Sequence, residues 1–280
     1  MKKLFYASIL LITSITTFSQ SKIDKLRDAT LMEGKKLYES EMASWYGTDI
    51  FMENYPIRES VGGYFSYSDK EVARCIFFSK DEKPKVIGTI SFDKTFAVKN
   101  ANLDLVERDF TSLEQDLYTL RKNALVAINS DTIFKYYPDT NFNLVPLISN
   151  GEKKVYVLTG STKNGVVIFG NDYLLTFDKK GTFKKTTKLH AGMIRLEYEN
   201  FNGDANSKTT AAMHTHLPEY SEIMTATDIC TTMLYEKFTD WESNIVISKK
   251  YVSLWDCKSD QFVVMTMEAW EKMSSNQSEE

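Results

Sequence analysis

Ala211-Ala212-Met213-His214-Thr215-His216-Leu217-Pro218, followed by Thr225-Ala226-Thr227-Asp228, is the stretch on which the reading of this chain turns. Only three histidines occur in 280 residues, and two of them stand here one residue apart. The apolar run Ala211 to Met213 reads as a strand leading into them. Side chains alternate faces along a strand, so His214 and His216 project from one face about 7 Å apart, and Thr215 from the other. Downstream, Ile229, Met233, Leu234 and Phe238 recur at helical spacing over residues 226–238, with Thr225 placed to cap that helix. A strand bearing two imidazoles therefore leads to a helix bearing a carboxylate, Asp228, in its first turn.

Zinc takes neutral imidazole and carboxylate ligands, and three protein ligands leave a fourth position for water. His214, His216 and Asp228 are the ligands this spacing offers, and the positive end of the helix dipole favours the ionised carboxylate. A purely structural reading stands beside it. Asp228 lies three residues after Thr225, where an acid completes a capping box, and His-x-His arises by chance.

The order His-Thr-His, then Pro218, then Thr225 three residues before Asp228, with an apolar strand before and a helix after, resembles the signature of the JAMM (JAB1/MPN-type) metalloproteases. The resemblance implies a JAMM/cytidine-deaminase-like α/β sandwich in the C-terminal half, a zinc ion held by His214, His216 and Asp228, and hydrolysis of a peptide or isopeptide bond. It also implies that Thr225 replaces the family's serine in polarising the scissile carbonyl, and that an upstream glutamate is the general base. Glu41, which follows a first predicted helix and precedes Gly47, is the first choice for that base; Glu197 and Glu199 are nearer in sequence. As a structural residue Glu41 is a solvated loop acid. Leu217 separates His216 from Pro218 and lengthens the pattern by one residue, which a bulge could absorb. A metallo-β-lactamase would need Asp-His just beyond the pair, and an amidohydrolase barrel more histidines than remain. His190, the third histidine, reads as a partly exposed residue closing a strand, with a three-histidine site as the alternative.

Working outward, Met1-Lys2-Lys3 and the apolar run Leu4 to Phe18 have the form of a bacterial secretory signal, residues 1–19, with cleavage near Ser19 or Gln20. A retained anchor is the alternative. No second run approaches the roughly 20 apolar residues of a membrane helix, so the expected product is exported, periplasmic or secreted, with no stable membrane span after cleavage. About 260 residues remain, enough for one large domain or two small ones. A net charge of −4, with 34 basic residues scattered among 38 acidic ones, gives no footprint for nucleic acid. Cys75, Cys230 and Cys257 form no Cys-x-x-Cys pair; one disulfide could be drawn in three ways, and burial is the simpler state of Cys230 and Cys257.

Residues 21–38 read as a helix, which Glu41 to Asp49 interrupts. Runs at 64–67, 74–79 and 85–92 read as an antiparallel meander. Phe110, Leu113, Leu117, Leu120, Ala124 and Ile128 define a helix over 109–129, with Thr111 and Glu114 as a capping box. A polar loop at 136–143 is the boundary between an N-terminal α+β region, 20–135, and a strand-rich C-terminal region, 136–273. The latter carries strands at 154–159, 166–169, 173–177, 182–189 and 192–198, a polar tract at 200–209, and strands at 244–248, 251–255 and 262–267. Residues 274–280 read as a disordered tail. The class is α+β, mostly antiparallel sheet flanked by a few helices. The functional alternative to an exported zinc hydrolase is a non-catalytic cell-envelope or secreted interaction protein with the same fold, using aromatic surfaces such as Trp45-Tyr46 and Tyr64 to Tyr67; in either case the partner is a peptide or protein.

Overall fold

The first helix, α1 (Lys2–Asn54), does not stop where the sequence pattern breaks. The computed structural model describes residues 2–198 and 209–277, with side chains described for 22–198 and 209–275. Of the expected signal segment only helical backbone from Lys2 is therefore on view. The expected interruption at Glu41 to Asp49 is instead helix, because Leu37, Met42, Ala43 and Phe51 are all buried on α1 and the helix gains more from that packing than propensity costs it. Gly47, which reads as a breaker, is a packing residue. A Cβ there would come 2.6 Å from the Cβ of Cys75, so only glycine lets the helix lie this close to the sheet.

That sheet is the expected meander: β1 (Val61–Asp69), β2 (Val72–Ser79), β3 (Val86–Phe92) and β4 (Asn102–Asp104), antiparallel and in sequence order. One face meets α1, where the Phe51 and Phe77 rings stack at 3.8 Å. The other meets α2 (Ser112–Ser130) through Phe65, Ile76, Phe78 and Leu117. The capping box forms as the sequence predicts, with the Glu114 backbone N–H donating to Thr111 Oγ1 and the Thr111 N–H to Glu114 Oε2. Glu114 is 1 % exposed and held by Arg108 in a fork of 2.7 and 2.8 Å.

The loop expected at 136–143 gives way to a strand from Thr140. β5 (Thr140–Ser149) is an edge strand, where Pro146 withholds no ladder hydrogen bond that a neighbour needs, and its Asn and Pro residues hide the alternation of Phe142 and Leu144 against Val145 and Leu147. It pairs with β6 (Glu152–Ser161), and β8 (Tyr173–Phe177) and β9 (Phe183–Lys188) complete the sheet in the order β5-β6-β8-β9. Beside it β7 (Val166–Gly170) pairs antiparallel with β10 (Met193–Glu197).

The last sheet has the order β11-β12-β13-β14, from β11 (Ala211–Thr215), β12 (Ser243–Ile247), β13 (Tyr251–Asp256) and β14 (Gln261–Thr266). β11 and β12 are parallel, unlike every other neighbouring pair among the described strands. A parallel pair requires a crossover, and α3 (Ala226–Tyr235) lies in it. A final helix, α4 (Met267–Gln277), extends into the expected tail. The largest core joins Leu37 and Phe51 of α1, Cys75 and Ile90 of the first sheet, Tyr156 of β6, Ile229 of α3 and Trp255 of β13, and so draws on residues from both sides of position 136. All three cysteines are free thiols, and Cys75 and Cys230 are buried. The class is α+β with mostly antiparallel sheets. Among the described residues no helix is long and apolar enough to cross a membrane.

Candidate metal centre

The crossover from β11 to α3 decides which side chains meet. β11 alternates as its sequence requires: Ala212 and His214 are buried, Ala211, Met213 and Thr215 exposed. His216 follows with its backbone N–H donating to Ile247 O at 2.9 Å, which keeps it beside β12 and its imidazole on the same side as His214. The rings of the two stand 5.3 Å apart. Asp228 enters from the first turn of α3, at the carboxyl end of β11, where open α/β units place their ligands.

The two oxygens of Asp228 stand in different surroundings. Its Oδ2 accepts from the Thr225 backbone N–H at 2.8 Å and from Thr225 Oγ1 at 2.7 Å, completing the capping box. Its Oδ1 is buried and has no hydrogen bond, although it lies 3.2 Å from His190 Nε2 and 3.4 Å from His214 Nε2. His216 Nε2 is 3.4 Å from Oδ2. His190, His214, His216 and Asp228 are 6, 8, 7 and 1 % exposed, so no bulk water solvates this convergence.

His190 is a correction: it does not end a strand half-exposed. It follows β9 on a connection tied down from two sides, by Leu189 N–H donating to Asp172 O and Asn171 N–H donating to Gly192 O, at 2.9 and 2.8 Å. Gly170 and Asn171 both have φ in the left-handed region, +81° and +57°, and together turn the chain sharply between β7 and β8. Asn171 is fully buried and braced by hydrogen bonds from Tyr173 Oη and to Lys135 O. The turn brings Asp172 to 3.6 Å from His190 Nδ1. Sequence reasoning passed over Asp172, whose signal was an acid between the two apolar strands 166–170 and 173–177.

A carboxylate or carbonyl facing Nδ1 turns a histidine's Nε2 toward a metal. His190 has Asp172 in that place, and His216 has Ser221 O at 3.2 Å from its Nδ1. Ligand atoms of His190, His216 and Asp228 all lie within 4.8 Å of one another, a buried cluster that could hold a metal ion. Tetrahedral zinc with bonds of 2.0–2.1 Å has ligand-to-ligand edges of about 3.3–3.4 Å. The contacts of 3.2, 3.4 and 3.4 Å around Asp228 match those edges, and His214 Nε2, His216 Nε2 and Asp228 Oδ1, all buried, have no other partner. Buried polar atoms are nearly always hydrogen-bonded, so orphans gathered around one carboxylate fit a cation there, although His214 is not among the three residues whose ligand atoms all lie within 4.8 Å of one another.

The charges follow from the geometry. Burial presses the Asp228 pKa upward, but His190 and His214 outweigh it and hold the carboxyl well below the usual range. Burial likewise presses His190 down, and Asp228 with Asp172 carries it above its ordinary value. Asp172 is pushed up to about 6 by burial, with His190 opposing.

A cavity of about 260 Å³ opens beside the imidazoles, walled by Phe169, Ile194, Leu217 and Tyr220. Thr225 is buried beside the imidazoles, with Oγ1 3.2 Å from His190 Nε2. Glu41 is not brought there: its Oε2 accepts from Asn143 Nδ2 at 3.1 Å, and it lines another cavity. Glu197 is exposed on β10, with Arg195 3.6 Å away. Glu199 and residues 200–208 of the polar tract lie outside the described residues. Comparisons with protein-family models, with curated proteins and with solved structures returned no match.

Proposed function

We propose that this chain is an exported zinc-binding protein with a JAMM-like ligand arrangement on the β11–α3–β12 unit, and that the centre is hydrolase-like, acting on a peptide or isopeptide bond. What carries the reading is the gathering of three buried imidazoles within 3.2–3.4 Å of one carboxylate, with His214 Nε2, His216 Nε2 and Asp228 Oδ1 left unpaired. His214, His216 and Asp228 would be ligands, and His190, which groups with His216 and Asp228 within 4.8 Å where His214 does not, would be a further nitrogen ligand. Bound zinc supplies Lewis acidity and a water of lowered pKa. The chain's own residues bind and orient: Ser221 O holds the His216 ring, Asp172 stands 3.6 Å from His190 Nδ1 as the nearest acid to that nitrogen among the described residues, and the Thr225 hydroxyl fixes Asp228. Phe169, Leu217 and Tyr220 give an apolar lining to the space where a substrate's apolar side chain would lie. The apolar start of the sequence supports export.

A second reading, a non-catalytic envelope or secreted interaction protein that keeps the metal, has a specific observation in its favour. Among the described residues no glutamate lines the cavity beside the imidazoles, whereas amide hydrolysis needs a proton shuttle to the leaving amine. Elemental analysis of the purified protein, paired with a peptide-library digest, separates the two. Stoichiometric zinc with cleavage abolished by His214→Ala/His216→Ala supports the hydrolase. Stoichiometric zinc without cleavage supports the binding role. Metal-free protein that zinc neither binds nor stabilises would end both.

A further inference from the structure

Glu41 occupies a cavity of its own. An open cleft of about 300 Å³ lies between α1, β1, β5, β6 and α3, lined by Glu41, Ser44, Trp45, Tyr64, Asn143 and Tyr235. It is separate from the metal centre: Ile168 of β7 faces this cavity and its neighbour Phe169 faces the other, as alternation along a strand requires. On α3, Thr231 lines it three residues beyond Asp228.

The carboxylate is poorly provided for. Its hydrogen bond comes from a neutral amide, Asn143 Nδ2, and among the described residues no cationic side chain acts on it, so burial pushes it up to about 7. A carboxyl withdrawn from water without a cation costs free energy, which a cationic ligand would relieve. Around it are the faces that favour an organic cation. Trp45, 41 % exposed, stands against Tyr235 at 6.1 Å and Phe238 at 5.6 Å, and Tyr64 also lines the space. Leu158, Ile168 and Leu234 offer an apolar wall for an alkyl stem. The volume is at the small end for ligand sites and suits a single side-chain-sized molecule.

We propose that this cavity binds a primary ammonium group on a short alkyl stem, with Glu41 as its counter-ion and the Trp45, Tyr64 and Tyr235 rings as its cage. The same chemistry is carried by a free alkylamine and by a lysine side chain on a peptide.

The test titrates intact protein with n-butylammonium, with its neutral counterpart 1-butanol, and with Nα-acetyl-lysine methylamide, following Trp fluorescence and ligand-observed NMR. Saturable binding of n-butylammonium is expected, at least tenfold weaker in Glu41→Gln and severalfold weaker in Trp45→Ala. The exposure of Trp45 keeps the second variant informative if the first does not fold. Comparable binding of the acetyl-lysine compound would assign the site to lysine side chains, and its failure to bind would assign it to free amines. Absence of saturable n-butylammonium binding, equal binding of 1-butanol, or unchanged affinity in both variants would overturn the proposal. Zinc content measured alongside reports on the metal centre independently, since Glu41 takes no part in it.

Discussion

Replacing Asp228 by Asn tests the division of labour between its two oxygens. The side-chain oxygen of Asn can still cap α3, while the anionic oxygen facing His190 and His214 is replaced by a neutral group. In chelator, the loss is confined to weakened capping and lost attraction to the imidazoles; removal of a cap is worth about 0.5–2 kcal/mol. With zinc at 100 times its dissociation constant, the wild type gains about 2.7 kcal/mol from binding, whereas a variant binding 100-fold more weakly gains about 0.4 kcal/mol. For a domain of this size each kcal/mol moves the melting temperature by about 2–4 °C, so zinc should raise the wild type by roughly 5–11 °C and Asp228→Asn by about 1–2 °C. Thr225→Ala is the control: it removes the hydroxyl that donates to Oδ2 at 2.7 Å but leaves the carboxylate, so it should melt lower in chelator and keep most of the zinc response. Differential scanning fluorimetry with and without zinc, after exhaustive chelation, reads all three proteins. Equal zinc shifts in wild type and Asp228→Asn would refute the assignment of Asp228 Oδ1 as a metal ligand.

Three further outcomes follow from the same structure. Asp172→Asn should weaken zinc binding about 10–100-fold in competition with a chromophoric chelator, because the Asp172 carboxylate faces His190 Nδ1 from 3.6 Å; unchanged affinity would remove it from a supporting role. Glu41 holds its proton to about pH 7 in the folded chain against an ordinary 4.5, so its contribution to stability is fully present below 4.5 and is lost as pH rises to 7. Urea titrations of Glu41→Gln should therefore lose less stability across that window, by at most about 3 kcal/mol, and a slope parallel to wild type would contradict the burial argument. Arg108→Ala leaves Glu114 buried without its cation; since Arg108 is a third exposed the cost should be about 2 kcal/mol, below the 3–5 of a fully buried pair, and a loss under 0.5 kcal/mol in urea would show the pair to be dispensable.

What the sequence determined by itself was local. Alternation in Ala211 to Thr215, the Thr225 and Thr111 caps, the apolar period of α2 and most strands were legible because each depends on neighbours within a few residues. The meeting of His216 with Asp228 was legible for the same reason, since a strand followed by a crossover helix returns to its own end. Only the tertiary structure decided the rest. The helical path through Gly47 depends on how closely Cys75 approaches it, and the β5 strand on a partner that covers Asn143 and Pro146. His190 joins the centre because a left-handed turn at Gly170 and Asn171 sets Asp172 beneath it, from a connection distant in sequence. Glu41 was placed by its neighbours in the sequence beside a predicted loop; packing of α1 against the first sheet and α3 carried it into a different cavity, because a side chain's surroundings are fixed by contacts that no local pattern encodes.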